Sequence, residues 1–338
     1  LIFCLVTMWT FYHLSTIPYP ITSPLPKQHG NRVAKSMTEI THESDNIYTM
    51  WHQAVSNDYL DILEMTVDCL YFFHRVRGTY GVIFALFKHA HDLLANKQIS
   101  DRHIHLYIKL KTMMSLTAEF ENQYSIARSI AEDALVLAMQ HGLTIEVARS
   151  EVALCKLWAI DGDLKKAKEY GEKGFMHYQE IDNIDERANA AVQLGWVFQM
   201  LEEYDRAETL FKDLVQESEA RENIYQAAQG NIWLALLYNL QKKYEQAKSH
   251  GLKALVQFEA ANSATYAIHV RKNLAIAYWG TGEYEQARHY FLLALKVYID
   301  AQRKAIPDIL STMSWMIYLM ESEGDQAFAM EISEFILQ

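Results

Sequence analysis

Proline is nearly missing from this chain. Of its five prolines, four lie between Pro18 and Pro26, and none occurs from Lys27 to Ile306. Proline removes a backbone donor and breaks helices, so about 280 residues carry no breaker of that kind. Glycine is also scarce, 13 in 338 residues, too few for the many turns of β-propeller blades. Three widely spaced cysteines, Cys4, Cys69 and Cys155, make neither a disulfide framework nor a zinc pattern. They are expected as reduced, cytosolic thiols packed as small apolar residues. A net charge of −11 leaves no basic surplus to neutralise phosphates, which argues against DNA or RNA as a direct partner.

What the chain has is a repeat. Asn273 to Tyr298 reads NLAIAYWGTGEYEQARHYFLLALKVY. Leu274, Tyr278, Ala287, Phe291, Ala294 and Leu295 fall at the spacing of one helix face, in two runs separated by Gly280-Thr281-Gly282. Two glycines able to take positive φ predict a tight reversal between two helices. The start of the second helix recurs at Tyr244-Glu245-Gln246-Ala247, Tyr204-Asp205-Arg206-Ala207, Leu164-Lys165-Lys166-Ala167 and Tyr124-Ser125-Ile126-Ala127, and more loosely up to Ala327. The alanines at 127, 167, 207, 247, 287 and 327 are each 40 residues apart. Ala118, Trp158, Phe198, Tyr238, Tyr278 and Tyr318 form a second column in the same register, and Met114, Leu154, Leu194, Leu234, Leu274 and Ser314 a third. An earlier unit fits at Leu70, His74, Gly78, Tyr80, Ile83, Phe87 and Ala90 with a four-residue offset.

The predicted organisation is an apolar helix and proline-rich linker over 1–26, entry helices over 27–69, and an array of about seven hairpins over 70–338. Leu1 to Ile17 is uncharged but shorter than the ~20 residues that span a bilayer, contains His13, and lacks a basic flank. It reads as a buried or linker helix rather than a membrane or targeting segment. A first residue that is not methionine suggests a piece of a longer polypeptide.

The pattern Leu-x3-Tyr, Gly-x-Tyr-x2-Ala, x3-Phe-x2-Ala-Leu resembles the tetratricopeptide repeat, best in the units holding Ala207, Ala247 and Ala287. The resemblance implies an all-α, right-handed superhelical solenoid of helix hairpins. The 40-residue period and the missing closing proline depart from the common 34-residue form, so the helices should be longer or the turns between units looser. Glu43-Ser44-Asp45-Asn46, with Trp51, Ala54, Phe73 and Arg77-Gly78, is similar to the entry into the repeat arm of STAND-type (NB-ARC/MalT-like) bacterial regulators. That likeness implies a sensor arm for signal transduction and transcription regulation, with any ATPase upstream of Leu1. Peptide-pheromone receptors look similar, and a passive assembly scaffold is a further alternative.

Catalytic signatures are missing too. No Walker A loop, His-Glu-x2-His, Cys-x2-Cys or Gly-x-Ser-x-Gly occurs. His89 and His91, like His103 and His105, point about 200° apart on a helix, so neither pair closes on one ion. Carboxylates such as Glu202 and Glu203, and the Lys165, Lys166 and Lys168 cluster, read as solvated. No enzyme activity, metal or cofactor is expected. Binding is expected instead, with a peptide, a small inducer or another protein domain as partner and neither nucleic acid nor membrane. The resemblance puts the concave groove on the first helix of each hairpin. The candidates there are Asn189, Gln193 and Trp196 with Val192, then Gln229, Trp233 and Asn239 with Ile232, then His269, Lys272 and Asn273 with Trp279. Amides can hydrogen-bond an extended backbone and indoles can cover apolar side chains; packing is the competing role for the indoles.

Overall fold

The structure is a computed structural model that describes residues 42–77, 79–95, 101–120, 123–260 and 264–300. The expectations for 1–26 and for the repeat around Ala327 fall outside the described residues. Thirteen helices and no strand occur among the described residues. They are α1 (Ser44–Ser56), α2 (Leu60–Arg77), α3 (Tyr80–Ala95), α4 (Asp101–Phe120), α5 (Tyr124–Gln140), α6 (Thr144–Ile160) and α7 (Leu164–Glu180). α8 (Ile184–Met200), α9 (Tyr204–Ala220), α10 (Ile224–Leu240), α11 (Tyr244–Ala260), α12 (Ala264–Gly280) and α13 (Tyr284–Asp300) follow. Sequentially packed helix hairpins make this a tetratricopeptide-like solenoid fold. Among the described residues no helix is long and apolar enough to cross a membrane.

From α5 to α13 each helix has 17 residues, and successive helices start 20 residues apart. The 40-residue period is therefore two identical steps of helix plus three-residue connection. Connections between units are as tight as those within them, so the longer period comes from longer helices. The expected array boundary at 69/70 falls inside α2.

Each described three-residue turn has its middle residue at positive φ. Gly142, Gly162 and Gly282 supply it at three turns, and Asp58, Asp182, Glu202, Glu222 and Lys242 at five others. The residue that follows donates its N–H to the third-last residue of the helix, as from Glu203 to Phe198 (2.8 Å) and Lys243 to Tyr238 (2.8 Å). This closes the helix in a Schellman motif and satisfies otherwise orphaned carbonyls. Side chains cap several helix starts: Asp163, Asn183 and Asn223 accept from the N–H groups of Lys166, Glu186 and Gln226 at 3.1, 3.2 and 3.1 Å. Gly280 differs from expectation, because it is the last residue of α12 and only Gly282 takes positive φ. Its missing Cβ instead makes room for the Tyr244 ring.

The chain divides into two compact units, Leu1–Arg206 and Ala207–Gln338. In the first, Trp51, Leu63, Phe73, Ile83, Phe87 and Leu110 anchor one cluster, with the Trp51 and Phe87 rings 5.8 Å apart. The cluster of Ala127, Ala131, Leu154 and Leu157 continues it. Gly174 lets α7 approach α6 so closely that a Cβ there would meet Val152 Cγ2 at 2.7 Å. In the second unit, Ala228, Phe258, Val270 and Leu274 form one cluster, and Ala275, Ala287, Phe291 and Leu295 another. The register alanines 127, 167, 207, 247 and 287 are all buried. A methyl there lets neighbouring helix backbones close in.

Candidate functional site

The first helices of the hairpins carry polar residues at fixed register. One column runs Lys109, Arg149, Asn189, Gln229 and His269, each 40 residues after the last. The first three belong to the first unit and the last two to the second. The polar face therefore differs between units, and each is described by itself.

In the second unit the face is made of amides. Asn239, near the end of α10, is only 8% exposed, and its Nδ2 donates to the Asn273 carbonyl of α12 at 2.9 Å. Asn273, 6% exposed, donates its own Nδ2 to the His269 carbonyl at 3.0 Å. Both Oδ1 atoms are buried without a partner. A buried unsatisfied acceptor costs about 1–3 kcal/mol, so these two carbonyls form a pair of acceptors awaiting donors. Gln229, His269 and Lys272 stand half-buried on the same two helices. The indoles have a different role. Trp233 stacks on Phe211 with centroids 5.9 Å apart, and Trp279 meets the Tyr244 ring edge-on at 6.4 Å. Ile232 is buried in the core. An open hollow of about 370 Å³ lies beside Tyr244 and Gly280, and none of the nine candidate residues lines it.

Sequence reasoning missed a second polar group in this unit. Asn231, fully buried on α10, donates to the Ala227 carbonyl and to Gln257 Oε1, both at 3.0 Å. Its Oδ1 lies 2.8 Å from His250 Nδ1. With both Asn231 amide hydrogens used, His250 must donate from Nδ1. Burial holds its pKa below the ordinary value, with Lys253 and Lys212 adding to the shift and Glu208 opposing it.

In the first unit the candidates on α8 do not gather. Asn189 is exposed, Gln193 half-buried and Val192 buried, and Trp196 packs on the cluster of Cys155, Ala159, Ala167 and Val197. The Cys155 thiol is pushed up to about 12 by burial, which leaves it inert. The chemistry of this unit sits one repeat earlier, on Arg149. Its guanidinium reaches Glu146 Oε1 (2.9 Å), Glu186 Oε1 (3.2 Å) and Asp68 Oδ1 (3.8 Å), while Lys109 holds Asp68 Oδ2 at 2.7 Å. Burial alone would lower the arginine pKa, but Glu146, Glu186 and Asp68 outweigh it and hold the charge firmly in place. The signal was the polar column itself, read through the central repeats and not extended two repeats toward the N-terminus.

The histidines pair with neighbouring carboxylates: His103 with Asp58 (3.0 Å), His105 with Glu64 (2.5 Å) and His91 with Asp92 (3.2 Å). Among the described residues no group of three or more histidine, cysteine or carboxylate side chains is placed to hold a metal ion.

Residues 226–300 match the family model of the tetratricopeptide repeat. No curated protein matches the chain by sequence. Among solved structures, the chain is similar to a Rap protein complexed with competence and sporulation factor (14% identity, 98% of each chain covered, TM-score 0.59). It is also similar to a signal transduction ATPase with numerous domains from Pyrococcus horikoshii that carries a tetratricopeptide repeat sensor (12% identity, TM-score 0.57). That match covers 94% of this chain and 49% of the other, so the chain spans about half the length of that protein. A third is NprR in complex with its cognate peptide NprX (11% identity, 98% and 87% covered, TM-score 0.55).

Proposed function

We propose that the chain is a peptide-binding sensor array whose second unit holds an extended peptide against the first-helix face of α10 and α12. The observation that carries this reading is the pair of buried, unpartnered carbonyl oxygens of Asn239 and Asn273. Each amide is pinned through its NH2 to a main-chain carbonyl, so each presents an acceptor to a donor that the fold does not supply. A peptide backbone carries such N–H donors at regular spacing. Gln229, Lys272 and His269 extend the polar face. Binding would act by population shift, favouring one arrangement of the stacked hairpins.

Two biological settings suit such an array. The likeness to a STAND protein that carries a tetratricopeptide repeat sensor supports a repeat arm within a larger regulator. Coverage of 98% of each chain against the Rap–factor complex supports a stand-alone peptide receptor. The site makes the same prediction in both. A peptide selected from a random linear library against the chain should lose about tenfold in affinity in Asn239→Ala and Asn273→Ala. Gln229→Ala should weaken it less, with helicity unchanged throughout. Equal affinity in all three variants would remove the amide face as the site.

A further inference from the structure

The Arg149 cluster is short of one positive charge. Three carboxylates, Asp68, Glu146 and Glu186, face two cations, Arg149 and Lys109. Lys109 is committed to Asp68, leaving one guanidinium to serve Glu146 and Glu186 while lying within reach of Asp68. The deficit shows at Glu146. That residue is 2% exposed, its Oε1 accepts from Arg149, and its Oε2 is buried with no partner. Glu186 and Asp68 sit at the outer edge of the cluster, with side chains 32% and 23% exposed.

We propose that this first-helix face of the first unit is a binding site for a cationic side chain, arginine or lysine, of a peptide ligand. The incoming cation pairs with the exposed carboxylates of Glu186 and Asp68. Arg149 Nη2, released from Glu186, then turns onto Glu146 Oε2, and the one-bond contact becomes a two-bond fork. Fork pairing of guanidinium and carboxylate is among the strong charge-assisted arrangements. The ligand never needs to reach the buried oxygen, because Arg149 satisfies it in exchange. The site lies wholly in the first unit and stands without the amide-face reading.

The test is fluorescence anisotropy with a labelled, capped alanine peptide carrying one arginine, and the same peptide with citrulline, which keeps the shape and removes the charge. The arginine peptide should bind the full chain saturably, and the citrulline peptide should bind at least about tenfold more weakly. Glu186→Gln and Asp68→Asn should each weaken arginine binding about fivefold or more, with helicity by circular dichroism unchanged. Glu169→Gln, which removes an exposed carboxylate on α7, controls for the overall negative charge and should change nothing. Should one cluster variant fail to fold, the other carries the test. Absence of saturable binding, equal binding of the citrulline peptide, or an equal loss in Glu169→Gln would overturn the proposal.

Discussion

At the scale of single residues, the turns are where side-chain identity and backbone demand disagree. Lys242 adopts φ 59° and Gly282 φ 78° at equivalent positions of successive hairpins. Only glycine takes that conformation without a Cβ penalty, and a Cβ at Gly282 would meet nothing within 4 Å, so backbone strain alone separates the two sites. Lys242→Gly should raise unfolding free energy by about 0.5 kcal/mol, and Gly282→Ala should lower it by about 1 kcal/mol, both read from urea denaturation. Opposite signs would show that the side chains at these turns contribute more than the backbone. The glycine pair at Gly280 and Gly282 suggested one shared purpose, but only Gly282 turns the chain. Gly280 is needed for the Tyr244 ring. A sequence read along one hairpin cannot see that contact, since Tyr244 lies a full hairpin earlier.

At the scale of elements, a charge ladder ties successive hairpins together. The residue after three of the register alanines reaches the turn of the next hairpin: Lys168 to Glu203 and Lys248 to Glu283, both at 2.6 Å, and Arg128 to Asp161. Hydrogen bonds from Lys168 and then Arg206 hold the Glu203 carboxyl below its usual range. Glu203 and Lys168 thus have partners, contrary to the expectation of solvated turn and helix charges, and Lys166 lies 3.8 Å over the Trp158 ring. Both members of the Lys168–Glu203 pair are 29% exposed, so a double-mutant cycle to alanine should give a coupling of only about 0.5 kcal/mol, falling with added salt. A coupling that is absent at low salt would reduce the ladder to a crystal-like coincidence of surface charges. The α10–α11 contact makes a different demand. His250 is held neutral by burial, its pKa lowered from 6.5. Below that value the unfolded chain takes up a proton that the folded chain resists, so stability should fall as pH drops through the window beneath 6.5. His250→Asn keeps a donor toward Asn231 and removes the titration; its stability should vary less over that window, and an unchanged pH profile would mean His250 is not the group responsible.

At the scale of the whole molecule, the fold was legible because it repeats. A single buried alanine every 40 residues, checked by two further columns, located the hairpins before any contact was known, and the structure buries the described members of that set. Helix length was not legible, because longer helices and looser turns produce the same period. The candidate site mixes two kinds of residue that sequence alone does not separate. Asn239 and Asn273 were expected to meet a ligand, and their Oδ1 atoms are among the buried acceptors without a partner. Trp196 and Trp233 were expected on the same face, and they pack instead, since an aromatic ring at helical spacing satisfies either role in sequence. The charges around Arg149 were passed over because charges on a helix read as solvated until their burial is seen.

Hydrogen–deuterium exchange of the chain with and without a selected peptide tests the central claim most directly, since it reports where the peptide lies rather than only whether it binds. The account predicts slowed exchange in α10 and α12, over Ile224–Leu240 and Ala264–Gly280, with the second helices Tyr244–Ala260 and Tyr284–Asp300 unchanged. Slowed exchange confined to the second helices or the turns, with α10 and α12 unaffected, would contradict it.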